Sequence, residues 1–140
     1  MPRRREIWIV MAALLLFASV YAWYTRTPAP VLITHFVHLE DVQSMLMRSG
    51  STGEGAETDD ASAFARLVSL FGDRLLTKSK NQARHVGYMY YVDVYHAKKS
   101  SCRIVFGIDS VLVNDVRYDL SVSLDAQAVI ELFDSLKTQP

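Results

Sequence analysis

Between Arg5 and Arg26 the chain runs from Ile7 to Tyr24, 18 residues, without one charged side chain. As an α-helix this stretch is about 27 Å long, close to the roughly 30 Å hydrocarbon thickness of a bilayer. Trp8 stands near its basic end and Tyr21, Trp23 and Tyr24 near the other, where amphipathic rings suit the two membrane interfaces. Arg3, Arg4 and Arg5 outnumber Arg26, so the positive-inside rule keeps the N-terminus cytoplasmic and residues 27–140 extracytoplasmic. The competing reading is a secretory signal cut after Ala22, with Val20 at the third position before the cut, which would release a secreted domain. Tyr21 and Trp23 crowd that cut, and the apolar stretch exceeds what a signal needs. The retained anchor is therefore the preferred expectation. Glu6 follows the arginines where a twin-arginine signal prefers apolar residues, and no cysteine follows the run to take a lipid.

The expected organisation is a basic tip and anchor over 1–26, a proline-rich linker over 27–31 and an α+β domain over 32–140. Pro28 and Pro30 bias the linker to extended geometry. Four of the 15 basic residues and one of the 15 acidic residues lie in 1–26. The remainder carries 11 basic and 14 acidic, a net of −3, which argues against nucleic acid as a partner because such a surface needs concentrated positive charge. Cys102 is the only cysteine. No intramolecular disulfide can form, and stability must come from a packed core.

Within the domain, "TDDASAFARLVSLFG" (58–72) places Phe64, Leu67, Val68 and Phe71 on one helical stripe. Thr58 is the expected cap, Asp59 and Asp60 favour the positive end of the dipole, and Gly72 ends the helix. "SLDAQAVIELFDSLK" (123–137) gives a second helix, capped by Ser123 or Asp125, with Ala126, Val129, Ile130, Phe133 and Leu136 inward. "YMYYVDVYH" (88–96) reads as a strand with Tyr88, Tyr90, Val92 and Val94 on one face. "CRIVFGID" (102–109) reads as another, with Cys102, Ile104, Phe106 and Ile108 inward. Asn114-Asp115 between alternating runs marks a tight hairpin. Residues 49–55 form a turn, residues 73–87 read mainly as a loop, and 42–48 fits helix or strand. The resulting architecture is a mainly antiparallel sheet of about five strands with two amphipathic helices packed on one face.

"EDVQSMLMRSG", "TDDASAFARLVSLF", "YMYYVDVYHA" and "DSVLVNDVRYDLS" together resemble small extracytoplasmic domains of unknown function carried behind an N-terminal anchor in Gram-positive bacteria. The likeness is one of patterning and spans nearly all of 39–137. It implies a strand for 42–48 and brings no catalytic residues with it.

His35-x-x-His38, with Glu40 and Asp41 close behind, would share a face at helical spacing and could hold zinc. With no fourth ligand evident, the plainer expectation is two polar residues on a partly exposed strand. Cys102 lies beside Lys98, Lys99 and Arg103, which would favour a thiolate, whereas its inward register favours a core thiol. His85 and His96 have no partner motif. Tyr88, Tyr91 and Tyr95 suit a recognition surface, and Arg74, Lys78, Lys80 and Arg84 suit contact with anionic headgroups or polymers. The plainer readings are rings that pack on helices and a solvated loop. No serine-nucleophile motif and no carboxylate pair at catalytic spacing stands out. The expectation is a non-catalytic binding or accessory module of the cell envelope, without cofactor, anchored through 7–24 beside an unidentified envelope or membrane partner. Two alternatives are a small envelope hydrolase using a metal at His35 and His38, and a small subunit held in a membrane complex through Ala12, Ala13, Ala18, Ser19 and Ala22.

Overall fold

The computed structural model describes residues 3–25, 28–82 and 89–138. Helix α1 (Arg4–Thr25) has 22 residues and no buried side chain, and its mean hydropathy reaches 2.0. It is long and apolar enough to cross a bilayer, a property shared by anchors and signal sequences.

Two 3₁₀ turns, Ile33–His35 and Leu39–Asp41, lead into β1 (Val42–Ser49), β2 (Gly55–Thr58) and α2 (Ala61–Phe71). Strand β3 (Leu76–Lys78) follows, then β4 (Tyr90–His96), β5 (Cys102–Phe106), β6 (Ser110–Val113), β7 (Val116–Leu120) and α3 (Ala126–Lys137). The seven strands form one antiparallel sheet ordered β2-β1-β4-β5-β6-β7-β3. The α+β class agrees with the sequence, and the strand count is seven rather than about five.

The additional strand β3 lies inside the segment expected as a loop. Its three residues are too few for a periodic signal, and pairing supplies what periodicity cannot. Leu76, Thr77 and Lys78 pair with Leu120, Asp119 and Tyr118. On the other side Val31 and Leu76 exchange both backbone hydrogen bonds, at 2.9 and 2.7 Å. Val31 thus belongs to the sheet edge, and the free linker is one residue shorter than expected. The ambiguous 42–48 segment is strand, because Met45 and Met47 bury on one face while Ser44, Leu46 and Arg48 alternate outward.

Both helices cover one face of the sheet. Ala63, Phe64, Leu67 and Phe71 of α2 join Val129, Leu132, Phe133 and Leu136 of α3 over Met45, Met47, Val92, Val94, Ile104, Phe106, Val111 and Val113. Phe71 reaches Phe106 at 5.9 Å between ring centroids, and Phe133 reaches Tyr90 at 4.9 Å. Val68, Ala126 and Ile130 are only half-buried, and Leu132 takes the place Ile130 was expected to fill. Asp60 caps α2 by accepting from Ser62 N at 2.9 Å. Thr58 instead ends β2 and accepts from Asp60 N through its hydroxyl. Asp125 caps α3, one of the two expected choices.

Gly72 closes α2 with φ +54°, open to glycine at little cost. Gly107 ends β5, where a Cβ would stand 2.5 Å from the Ser110 carbonyl oxygen. The tight turn there leaves Ile108 outside the strand and 57% exposed, against the inward position expected for it. Asn114 and Asp115 adopt φ of +52° and +68°, the two left-handed residues that a two-residue hairpin requires.

Candidate functional site

The sequence candidates fall in three separate places. His35 is exposed and His38 half-buried, both in the irregular segment ahead of β1 rather than on a strand. What joins His38 is His96, which no motif announced. His38 N–H donates to His96 Nε2 at 3.1 Å, and His96 Nδ1 lies 3.0 Å from Ser100 O. A nitrogen that accepts from an amide leaves the other to donate to the carbonyl, so the bonds fix one neutral tautomer. The two rings lie 5.5 Å apart. Both His96 nitrogens therefore serve the backbone, and neither is available to a metal. Among the described residues no group of three or more His, Cys, Asp or Glu side chains could hold an ion.

An open pocket of about 470 Å³ lies beside this pair, lined by His35, His38, Lys98, Lys99, Cys102 and Asn114 among others. Its walls are structural. Asp41 accepts from Lys98 N and, at 2.8 Å, from Lys99 N, which closes the β4–β5 turn. Those amide hydrogen bonds, Lys99 first, hold its carboxyl below the ordinary range. Glu40 is lowered too, chiefly by its own backbone hydrogen bond, with Lys99 3.6 Å away adding a weaker pull. Cys102 is 4% exposed, and burial, assisted by the negative charge of Asp93, pushes its thiol up to about 11. The neighbouring lysines do not make it a thiolate. It is a core residue.

Arg74, Lys78 and Lys80 do not form a patch with the tyrosines. Three strands separate β3 from β4, placing Lys78 roughly 19 Å from the tyrosine strand at about 4.8 Å per strand step. Arg74 is structural: its guanidinium donates to the carbonyls of Leu70, Phe71, Val122 and Ser123. Tyr88, Arg84 and His85 lie outside the described residues.

Tyr91 and Tyr95 do share a surface. They project from β4 on the side away from the helices, in phase with Asp93 and opposite Val92, Val94 and His96. Strand register aligns Arg48, Tyr91, Val105, Leu112 and Arg117 in one transverse row. A second row holds Glu57, Leu46, Asp93 and Arg103. Arg103 binds Asp93 through two bonds, Nε to Oδ1 at 2.6 Å and Nη2 to Oδ2 at 3.0 Å. The ion pair raises the arginine further above its ordinary value. It also holds the guanidinium 4.9 Å from the centroid of the Tyr91 ring, within the range of a cation–π contact. The ring expected to pack on a helix is instead fixed on the open face.

Protein-family models, curated proteins and solved structures contain no match to this chain.

Proposed function

We propose that the protein is a single-pass membrane protein whose extracytoplasmic domain is a non-catalytic binding module, and that it binds a protein partner through the uncovered sheet face. The observation that carries this reading is the contrast across the sheet. One face is sealed by α2 and α3. The other presents half-buried Leu46, Tyr91, Val105 and Leu112 between arginines, with no covering element among the described residues. Tyrosine and arginine on a rigid frame are the residue types that concentrate binding energy at interfaces. Arg103 is oriented before any partner arrives, so less entropy is lost on binding.

The anchor supports the same reading. None of α1 is buried, so its apolar surface has no partner among the described residues and suits lipid. Beside His38, both ring nitrogens of His96 are engaged by backbone groups, which favours binding over a metal-dependent hydrolase at His35 and His38.

Two measurements test the proposal. Alkaline carbonate extraction of native membranes should leave the full-length chain in the pellet. A soluble product beginning near Trp23 would contradict the anchor. Photo-crosslinking from Tyr95 should yield a discrete adduct that disappears in a Tyr91→Ala variant; the same adduct in both would contradict the binding face.

A further inference from the structure

Seven large apolar side chains of the domain are exposed among the described residues: Leu32, Leu39, Leu75, Met89, Tyr95, Ile108 and Val122. Four of them lie on backbone segments that hydrogen bonds bring together at one corner, beside the β3 edge. The Val31–Leu76 bridge sets Leu32 next to Leu75. Leu75 in turn pairs with Ser121, its amide donating to Ser121 Oγ and its carbonyl accepting from Ser121 N. Ile108 joins through its carbonyl, which accepts from Leu124 N, while Asp109 O accepts from Leu120 N. Leu32 and Leu75 are 41% and 42% exposed, Ile108 57% and Val122 60%.

Side-chain hydrogen bonds brace this corner. The Arg74 clamp fixes the Val122 and Ser123 carbonyls, and Ser123 Oγ donates to Asp109 at 2.5 Å. The exposed side chains are thus held out by a braced loop rather than left on a slack one that could fold them inward. Its position along the chain names the occupant. Thr25 ends α1 and Val31 is fixed to the sheet, so six residue steps separate the helix from this edge. Fully extended, they span about 20 Å. Such a tether holds the corner near the bilayer at an effective concentration of order millimolar, so a weak surface contact suffices.

We propose that Leu32, Leu75, Ile108 and Val122 form a docking surface for the lipid bilayer that anchors the chain, seating the domain with its β3 edge on the membrane. This inference rests on the reading of α1 as a retained anchor. Leu32, Leu75, Ile108 and Val122 carry no charge, so the contact they would make is apolar. It should hold equally on zwitterionic and anionic lipid, and should survive about 1 M salt, where charge attraction is screened within about 3 Å. Seated this way, the sheet stands off the bilayer from its β3 edge and leaves the β4 tyrosines open to a partner alongside.

Spin labels on the full chain in lipid nanodiscs test the proposal, placed at Val122→Cys or Leu75→Cys, with Glu57→Cys on the opposite edge strand as control. Native Cys102 is buried with its thiol pushed up to about 11, so labelling at neutral pH selects the introduced cysteine. The expected result is oxygen accessibility at 122 and 75 exceeding that of a water-soluble nickel probe several-fold, with the reverse at 57. Adding Ile108→Asp should return the label at 122 to the control ratio. Equal aqueous accessibility at all three positions would overturn the docking surface while leaving the anchor intact. Dipolar broadening between labels would overturn it in favour of a second copy. A chain that fails to float with vesicles would overturn the anchor reading and the docking with it.

Discussion

The two faces of the sheet are built by the same strands with opposite chemistry. Along β4, Val92, Val94 and His96 are buried while Tyr91, Asp93 and Tyr95 alternate with them on the other side. The inner face is apolar and sealed, so each side chain there contributes stability through burial and tight packing. The outer face mixes rings, aliphatics and ion pairs that remain in contact with water. The Arg103–Asp93 pair joins an exposed guanidinium to a largely covered carboxylate, and the two bonds orient the guanidinium on this face. One face therefore holds the fold and the other is free to serve recognition. Substitutions on the two faces should fail in different ways.

The largest expected effect is on the inner face. Phe71→Ala and Phe133→Ala each remove a ring that is almost wholly buried. Each should cost about 3–5 kcal/mol, a large part of the roughly 5–15 kcal/mol that a domain possesses, and thermal unfolding should lose most of its cooperativity. At the rim of the same face, His96→Ala strands His38 N–H and Ser100 C=O. Leaving such groups unpaired should cost about 1–3 kcal/mol in a denaturant titration. His35→Ala, at an exposed position, should change stability by less than about 1 kcal/mol. A large effect at His35 and none at His96 would reverse the assignment of the pair.

A smaller effect follows from Asp41. Its carboxyl is held below the ordinary value of 3.8 by the Lys99 and Lys98 amides. The unfolded chain takes up a proton first as pH falls, so the contribution is full above the unfolded value and is lost as pH drops through the lowered folded one. Asp41→Asn should therefore flatten the acid limb of the stability profile below about pH 4 and leave the neutral limb with only a constant offset. Cys102 acts with the opposite sign on pH. Its raised thiol favours the folded chain below the ordinary value of 9.0, and that contribution fades as pH rises towards about 11. A thiol reagent at pH 8 should accordingly modify Cys102 only as fast as the domain unfolds. The smallest expected effect on stability is at the outer face, where Tyr95→Ala should change it by less than about 1 kcal/mol while lowering partner capture.

Much of the inner face was legible because alternation and helical stripes are local signals. The Asn114-Asp115 turn, the burial of Cys102 and the stripes on α2 and α3 follow from neighbours in sequence. The features that escaped depend on distance. Strand β3 exists because Leu120 and Val31 flank Leu76. The His38–His96 contact joins residues 58 positions apart. Asp60 displaced Thr58 as the cap because Thr58 was taken up by pairing with Met45 in the sheet. The row through Arg48, Tyr91, Val105, Leu112 and Arg117 draws on five strands, so composition could suggest tyrosines as a surface but could not choose which basic residues join them. Arg74 was the misleading candidate: a positive charge in a polar segment, engaged by backbone carbonyls.

Position-specific photo-crosslinking in intact membranes distinguishes recognition on the open face from recognition on the helices. A photoreactive side chain at Tyr95 is compared with one at Glu131, exposed on α3 over the sealed face. A discrete protein adduct is expected from Tyr95, lost on Tyr91→Ala, and none from Glu131. An adduct from Glu131 with none from Tyr95 would place the interface on the helices and rule out recognition by the open face.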